Sequence, residues 1–278
     1  MINYHNFIER SITGALSFLK ESVFADQYAA KKGFLQSLDP RIKTITFMVF
    51  IVLIIFTKDI RVLFFMYALC LLLGSISKIN LWFFLRRSWI FIPLFSIFIA
   101  IPALFNIVTP GETLVALKIF GIKLTITRQG FFGASLFVAR VVTSVSFAVL
   151  LTLTTKHFEL LKVLRIFKIP QIFVMTLGMC YRYIFLFVEI VSSTYLAVKS
   201  RVGSRIHYRT GQHLAAWNIA ALWQRSYRLN EDVYNAMLSR GYRGESFALN
   251  DFRTKTKDWL WVCLVVIISA GVSYFNYG

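Results

Sequence analysis

Two arginine triplets in the second half of the chain carry its most pointed chemistry: Ser200-Arg201-Val202 and Ser239-Arg240-Gly241. Each closes a stretch of apolar-rich helical periodicity within Gln171 to Gly244, so each guanidinium is expected at a helix C-terminus rather than along a flank. There it complements the negative end of the helix dipole and offers a planar fork of donors that suits a carboxylate in a partner's groove. The bland alternative for either one is a solvated cap. What this offers is docking, and no constellation for bond making accompanies it. GxxxxGK[ST] is absent, so the chain has no phosphate-cradling P-loop. Cys70, Cys180 and Cys263 lie far apart in apolar runs, and the four histidines are scattered, so neither a disulfide framework nor a metal spacing is present.

The elements that must position these arginines are set by composition. A chain of 278 residues that is 57% hydrophobic and carries 28 phenylalanines has more apolar surface than a soluble core of this size can hide, which makes it a membrane protein. Its net charge of +18 collects between the apolar blocks, where lysine and arginine meet headgroups and partner surfaces. A nucleic-acid function would need a basic face on a soluble module, and no such module is left once the spans are assigned.

Residues 1–36 are amphipathic and charged where a signal peptide would be apolar, and read as helix lying at the cytoplasmic surface. Ser37-Leu38-Asp39-Pro40-Arg41-Ile42-Lys43 then signals a helix start, with Asp39 as cap and Pro40 in the first turn. Residues 37–155 are expected to hold four spans: Ile42 to Thr57, Val62 to Ser77, Trp89 to Val108 with kinks at Pro93 and Pro102, and Gly130 to Leu153. A small external hairpin over 112–127, around Phe120-Gly121, separates the last two. Arg140, near the middle of the fourth span, must face protein or water. It is either a structural arginine bonded to carbonyls or hydroxyls, or a contact with a partner subunit.

Residues 156–258 read as a cytoplasmic module. Thr155 can cap a short amphipathic helix, Lys156 to Lys168. One long helix from Gln171 to about Lys199, interrupted by Arg182 and Glu189, is partly embedded and partly cytoplasmic. A second, Leu214 to Arg240, places Leu222, Leu229, Val233 and Ala236 on a packing stripe opposite Gln224, Arg228, Glu231 and Asn235. Residues 259–278 form the last span. The architecture is therefore all-α and polytopic, with about five transmembrane helices in the cytoplasmic membrane. Charge distribution puts the N-terminus inside and the C-terminus outside. None of these spans contains a carboxylate and the halves show no inverted repeat, which disfavours a stand-alone carrier or channel. A membrane-embedded lipid-modifying enzyme would want clustered acidic ligands or a histidine pair, and has neither.

Leu38-Asp39-Pro40-Arg41-Ile42-Lys43, Arg140 followed by Leu151-Thr152-Leu153-Thr154-Thr155, Phe158-Glu159-Leu160-Leu161, Ile169-Pro170, Tyr181-Arg182-Tyr183 and the two arginine triplets occur in an order that resembles the T component of energy-coupling factor (ECF) transporters, the EcfT/CbiQ family. The resemblance covers about residues 35 to 245. It implies a non-catalytic scaffold that binds no cofactor itself. Two P-loop ATPases that use ATP, and a membrane S component that captures the substrate, would be its partners. Arg201 and Arg240 would be the ATPase contacts, with Arg205 as substitute for Arg201 because Val202 stands where the family's triplet has glycine. The segment ahead of Leu38 is similar to that of the CbiQ branch, which implies cobalt or nickel as cargo, a vitamin being the other option.

Overall fold

Asp39 starts the first membrane helix: its carboxylate accepts the Arg41 amide at 2.9 Å while Pro40 takes the first helical position, where no amide is needed, giving α1, Pro40–Phe56. The computed structural model describes residues 14, 29–30, 33–89, 92–104, 113–119, 122–202, 208–244 and 254–277. Most of the amphipathic N-terminal segment lies outside them. After the turn at Thr57-Lys58-Asp59 comes α2, Ile60–Ile76. Both helices have 17 residues, or about 25 Å at 1.5 Å per residue, slightly under the hydrocarbon thickness of a bilayer.

The third span differs from the sequence expectation. Helix begins at Leu81, as α3 (Leu81–Trp89) followed by α4 (Ile92–Ala100), and Leu81–Ala100 as a whole is long and apolar enough to cross a membrane. Arg86 and Arg87, expected before the span, lie exposed inside α3. Long cationic side chains can keep their stems on apolar surface and their charges in water, so the pair interrupts the apolar pattern without ending the helix. Pro93 stands second in α4, and Pro102 opens the 3-10 turn Pro102–Leu104. Strands β1 (Thr113–Ile119) and β2 (Ile122–Thr127) form the expected antiparallel hairpin, with Ile119 opposite Ile122; Phe120 and Gly121 lie outside the described residues.

Helix α5, Arg128–Thr154, is capped by Thr127, whose hydroxyl accepts the Gly130 amide. Then follow α6 (His157–Val163), a 3-10 turn (Leu164–Phe167), α7 (Gln171–Val202), α8 (Tyr208–Ser239) and α9 (Thr256–Tyr277). Thr155 does not cap α6: its hydroxyl is buried without a hydrogen bond, and the residue closes α5 instead. The last helix begins three residues earlier than the expected span, so Asp258 lies within the first turn of α9. The chain folds as an all-α polytopic membrane protein with one small hairpin. Its two compact units are Ala25–Leu160 with Phe252–Gly278, and Met1–Phe24 with Leu161–Asp251.

In the first unit α5 packs against α1, α2, α3 and α4, while α9 packs against α1 and α2. Phe147 of α5 meets Phe47 and Phe50 of α1 at ring-centroid distances of 5.8 and 5.3 Å. The Ser88 and Ser146 hydroxyls share a hydrogen bond of 2.6 Å between α3 and α5. Lipid tails are as apolar as leucine, so close packing and polar contacts, rather than water exclusion, hold such helices together.

The strongest polar contacts form a reciprocal pair. Lys43 of α1 is buried, and its ammonium donates to the Thr154 carbonyl at the end of α5 (2.9 Å) and to the Leu35 carbonyl (3.0 Å). Glu159 adds an opposite charge nearby. Arg140 of α5 donates through Nε and Nη2 to the Thr57 carbonyl at the end of α1, at 3.0 and 2.7 Å. Each helix thus caps the C-terminus of the other. Lys43 to Thr57 and Arg140 to Thr154 are both fourteen residues, close to four helical turns or about 21 Å. The two clamps therefore lie at the two ends of one antiparallel helix pair, each cation at a negative dipole end.

A second set of end contacts aligns α9 with α1. The Asp258 carboxylate accepts the Asp39 amide through Oδ1 (2.9 Å) and the Lys255 amide through Oδ2 (2.7 Å). At the far end Asn276 accepts the Lys58 amide and donates to the Phe56 carbonyl. Trp261 Nε1 donates to Thr46 Oγ1 between them. Helices α1 and α9 are therefore parallel, and both are antiparallel to α5.

Removing Lys43 strands two buried carbonyls at roughly 1–3 kcal/mol each, so Lys43→Ala is expected to cost about 3 kcal/mol and Arg140→Ala about 2 kcal/mol. The sites are some 21 Å apart, so the double variant should sum to within about 0.5 kcal/mol. Thermal or denaturant unfolding in detergent reads this, with exposed Lys58→Ala as the control expected within about 0.5 kcal/mol of wild type. Lys43→Ala behaving like that control would refute the clamp.

Candidate functional site

The two arginines of interest belong to the second unit, on helices α7 and α8 of 32 residues each. Arg201 lies exposed in the last turn of α7, one residue before the helix ends at Val202. Arg240 directly follows the last residue of α8 and is also exposed. The preceding serines behave alike. Ser200 Oγ donates to the Ala197 carbonyl (2.9 Å) and Ser239 Oγ to the Ala236 carbonyl (3.0 Å). At Ser239 the acceptor is one of the carbonyls that the end of α8 leaves open, whereas the Ala197 carbonyl lies inside α7, ahead of its last four residues.

The stop of α8 is fully specified. The Tyr242 amide donates to the Met237 carbonyl (3.0 Å) and the Gly241 amide to the Leu238 carbonyl (2.9 Å), with Gly241 at φ +82°. This is a Schellman cap, in which Gly241 takes the left-handed position that a side chain would strain. Arg240 is the capping residue itself. It stands exposed at the negative dipole end, with the Met237 and Leu238 carbonyls already bonded by backbone amides. At the first triplet the helix continues through Val202, so the local backbone there asks for no glycine.

Other residues singled out from sequence fall as follows. Arg140 is the structural clamp on Thr57. Arg182 and Glu189, seven residues apart and hence on one face of α7, are both exposed. Arg205 lies outside the described residues. On α8, Leu222, Leu229 and Val233 are half-buried, while Ala236 is exposed and Met237 is half-buried. Gln224, Arg228, Glu231 and Asn235 are exposed, as their face requires. A second apolar row, Ile219, Trp223, Tyr227, Tyr234 and Leu238, is exposed. Sequence reasoning missed Lys43 and Asp258. Lys43 sits on the Phe47, Phe50 and Ile54 stripe, and an acid three residues after Lys255 is half of a capping box. Among the described residues no cluster of three metal-ligating side chains occurs.

Residues 31–249 match the family model of CbiQ, described as cobalt transport protein. An uncharacterized protein of Methanocaldococcus jannaschii is 33% identical over 274 residues, covering 99% of this chain and 94% of its own. The energy-coupling factor transporter transmembrane proteins EcfT of Streptococcus thermophilus and Staphylococcus aureus are 26% and 25% identical. Each alignment covers 92% of this chain, and 98% and 97% of those proteins respectively.

Because Gly241 meets nothing within 4 Å of an added Cβ, backbone strain alone should decide substitutions there. Gly241→Val is expected to open the cap by about 1–2 kcal/mol, exposing the Gly241-position and Tyr242 amides to roughly tenfold faster hydrogen exchange. Gly241→Asn, which tolerates the left-handed region, should stay near wild type. Equal protection in both variants would remove the glycine from its role in aiming Arg240.

Proposed function

The chain belongs to the CbiQ family of cobalt transport proteins, and we propose that it is the transmembrane T component of an ECF-type importer, coupling ATP hydrolysis by two cytoplasmic P-loop ATPases to movement of a substrate-binding S component. The observation that carries this reading is the repeated Ser-Arg end of two equally long helices, Arg201 on α7 and Arg240 on α8. Each guanidinium enters a groove of one ATPase subunit, where a bidentate pair with a carboxylate translates nucleotide-driven closure into a pull on the helix. The chain itself does no chemistry and holds no cofactor. Cobalt or nickel, or else a vitamin, is the cargo of the S component.

End pairing supports a topology with the arms on one side. Thr154 and Asp258 both lie at the Asp39–Lys43 end of α1, so the chain leaves and re-enters the membrane unit on the same face. Helix α7 is apolar and long enough to cross, but α8 exposes Arg225, Arg228, Glu231 and Asp232 along its length and offers no return span. The proposed topology keeps residues 156–258 as the cytoplasmic module, with the helix from Gln171 partly embedded, and the C-terminus outside.

Truncating or reversing a buried bidentate arginine costs roughly 2–5 kcal/mol. Arg240→Glu is expected to weaken co-purification of the ATPases by at least about 30-fold in affinity, and Arg201→Glu to add to it. In liposomes, uptake should require ATP, both ATPases and an S component. Unchanged assembly in the double variant, or solute transport by the chain alone without ATP, would reject the reading.

A further inference from the structure

Parallel packing of α1 and α9 leaves an apolar groove of about 500 Å³ along their seam, lined by Ile42, Ile45 and Val49 on one wall and Val262, Val266 and Ala270 on the other. It runs on to Ser273, so it follows α9 for eleven residues, about 17 Å along the axis. Its walls are exposed: Ile45, Val49 and Val266 are 43%, 40% and 59% accessible. A hydrocarbon chain matches this shape and polarity.

The groove is not electrically neutral along its length. Both helices begin at the same end, so two positive dipole ends lie side by side there. Exposed Arg41, Lys255 and Lys257 gather at that end because Asp258 ties the Lys255 and Asp39 amides together. The carboxylates near this end, Asp39, Asp258 and Glu159, are outnumbered by Arg41, Lys43, Lys255 and Lys257, and Asp39 and Asp258 are buried at 6% and 1% while Arg41, Lys255 and Lys257 face outward. Lys255 directly precedes the first residue of α9, at the groove's Asp39 end. Trp259, 68% exposed near that end, suits the headgroup level. The far end, by Ser273, lies three residues short of Asn276.

We propose that the α1–α9 groove is a binding site for an anionic glycerophospholipid. One chain lies between the helices and the headgroup phosphate sits by Lys255, Lys257 and the paired helix N-termini. The lipid fills the seam of the parallel pair, and its charge selects the leaflet at the Asp39 end.

The test uses the full chain in nanodiscs with phosphatidylglycerol or phosphatidylcholine carrying a diazirine in one acyl chain, read by peptide mapping after irradiation. Label from phosphatidylglycerol should concentrate on residues 42–49 and 262–273, at least threefold over phosphatidylcholine. Lys255→Gln/Lys257→Gln should reduce that preference below about 1.5-fold, and Ala270→Phe should lower groove labelling by both lipids. Wild-type protein alone can overturn the proposal. Equal labelling by the two lipids, or label spread evenly over lipid-facing Phe64, Phe65 and Ile267, means bulk solvation only. Exclusion of lipid by a protein cross-linked into the seam would assign the groove to a partner helix instead.

Discussion

Everything in the membrane unit depends on two cations that end each other's helices. Lys43 holds the C-terminus of α5 and Arg140 that of α1, across equal intervals of fourteen residues. A helix end within or near hydrocarbon leaves carbonyls that no water satisfies, at several kcal/mol apiece. An ammonium or guanidinium placed there offsets both that cost and its own desolvation. The pair also fixes register, since a slip of one residue would carry both side chains about 100° away from their acceptors. With register set, the ring contacts of Phe147 with Phe47 and Phe50 and the Ser88–Ser146 bond fall between the clamps.

The same chemistry appears in the other unit with the opposite use. There the end of α8 is satisfied locally, by the Ser239 hydroxyl and by the amides of Gly241 and Tyr242. Arg201 and Arg240 are left at dipole ends and exposed. An arginine consumed by its own protein makes a joint, as Arg140 does. One left exposed at a helix end is, in the proposed function, a handle for another protein. That contrast, rather than the presence of arginine, separates Arg140 from the proposed coupling positions.

Much of this was legible in the sequence. The Asp39-Pro40 start, the span positions of α1, α2, α5 and α9, the hairpin and the arginine-bearing helix ends all follow from periodicity, capping preference and charge. Arg140 was readable as an inward arginine, though not its acceptor, because the partner lies 83 residues away. Lys43 shares its face with Phe47, Phe50 and Ile54, so a helical reading marks it as buried, yet lysine beside a span reads first as a headgroup contact. Helix α3 was missed because Arg86 and Arg87 look like a boundary; window composition cannot distinguish a snorkelling pair from a loop. The parallel pairing of α1 and α9 was invisible, since it rests on Asp258 and Asn276 meeting residues more than 200 positions away.

In the proposed importer the ends of α7 and α8 respond to nucleotide. The direct test is a spin-label distance between Ser193→Cys on α7 and Tyr234→Cys on α8, in a Cys180→Ser/Cys263→Ala background, within the complex assembled with its ATPases in nanodiscs. The distance distribution should differ between the nucleotide-free and ATP-trapped states, and Arg201→Glu/Arg240→Glu should abolish that difference. One unchanged distribution through the ATP cycle of an actively transporting complex would contradict it.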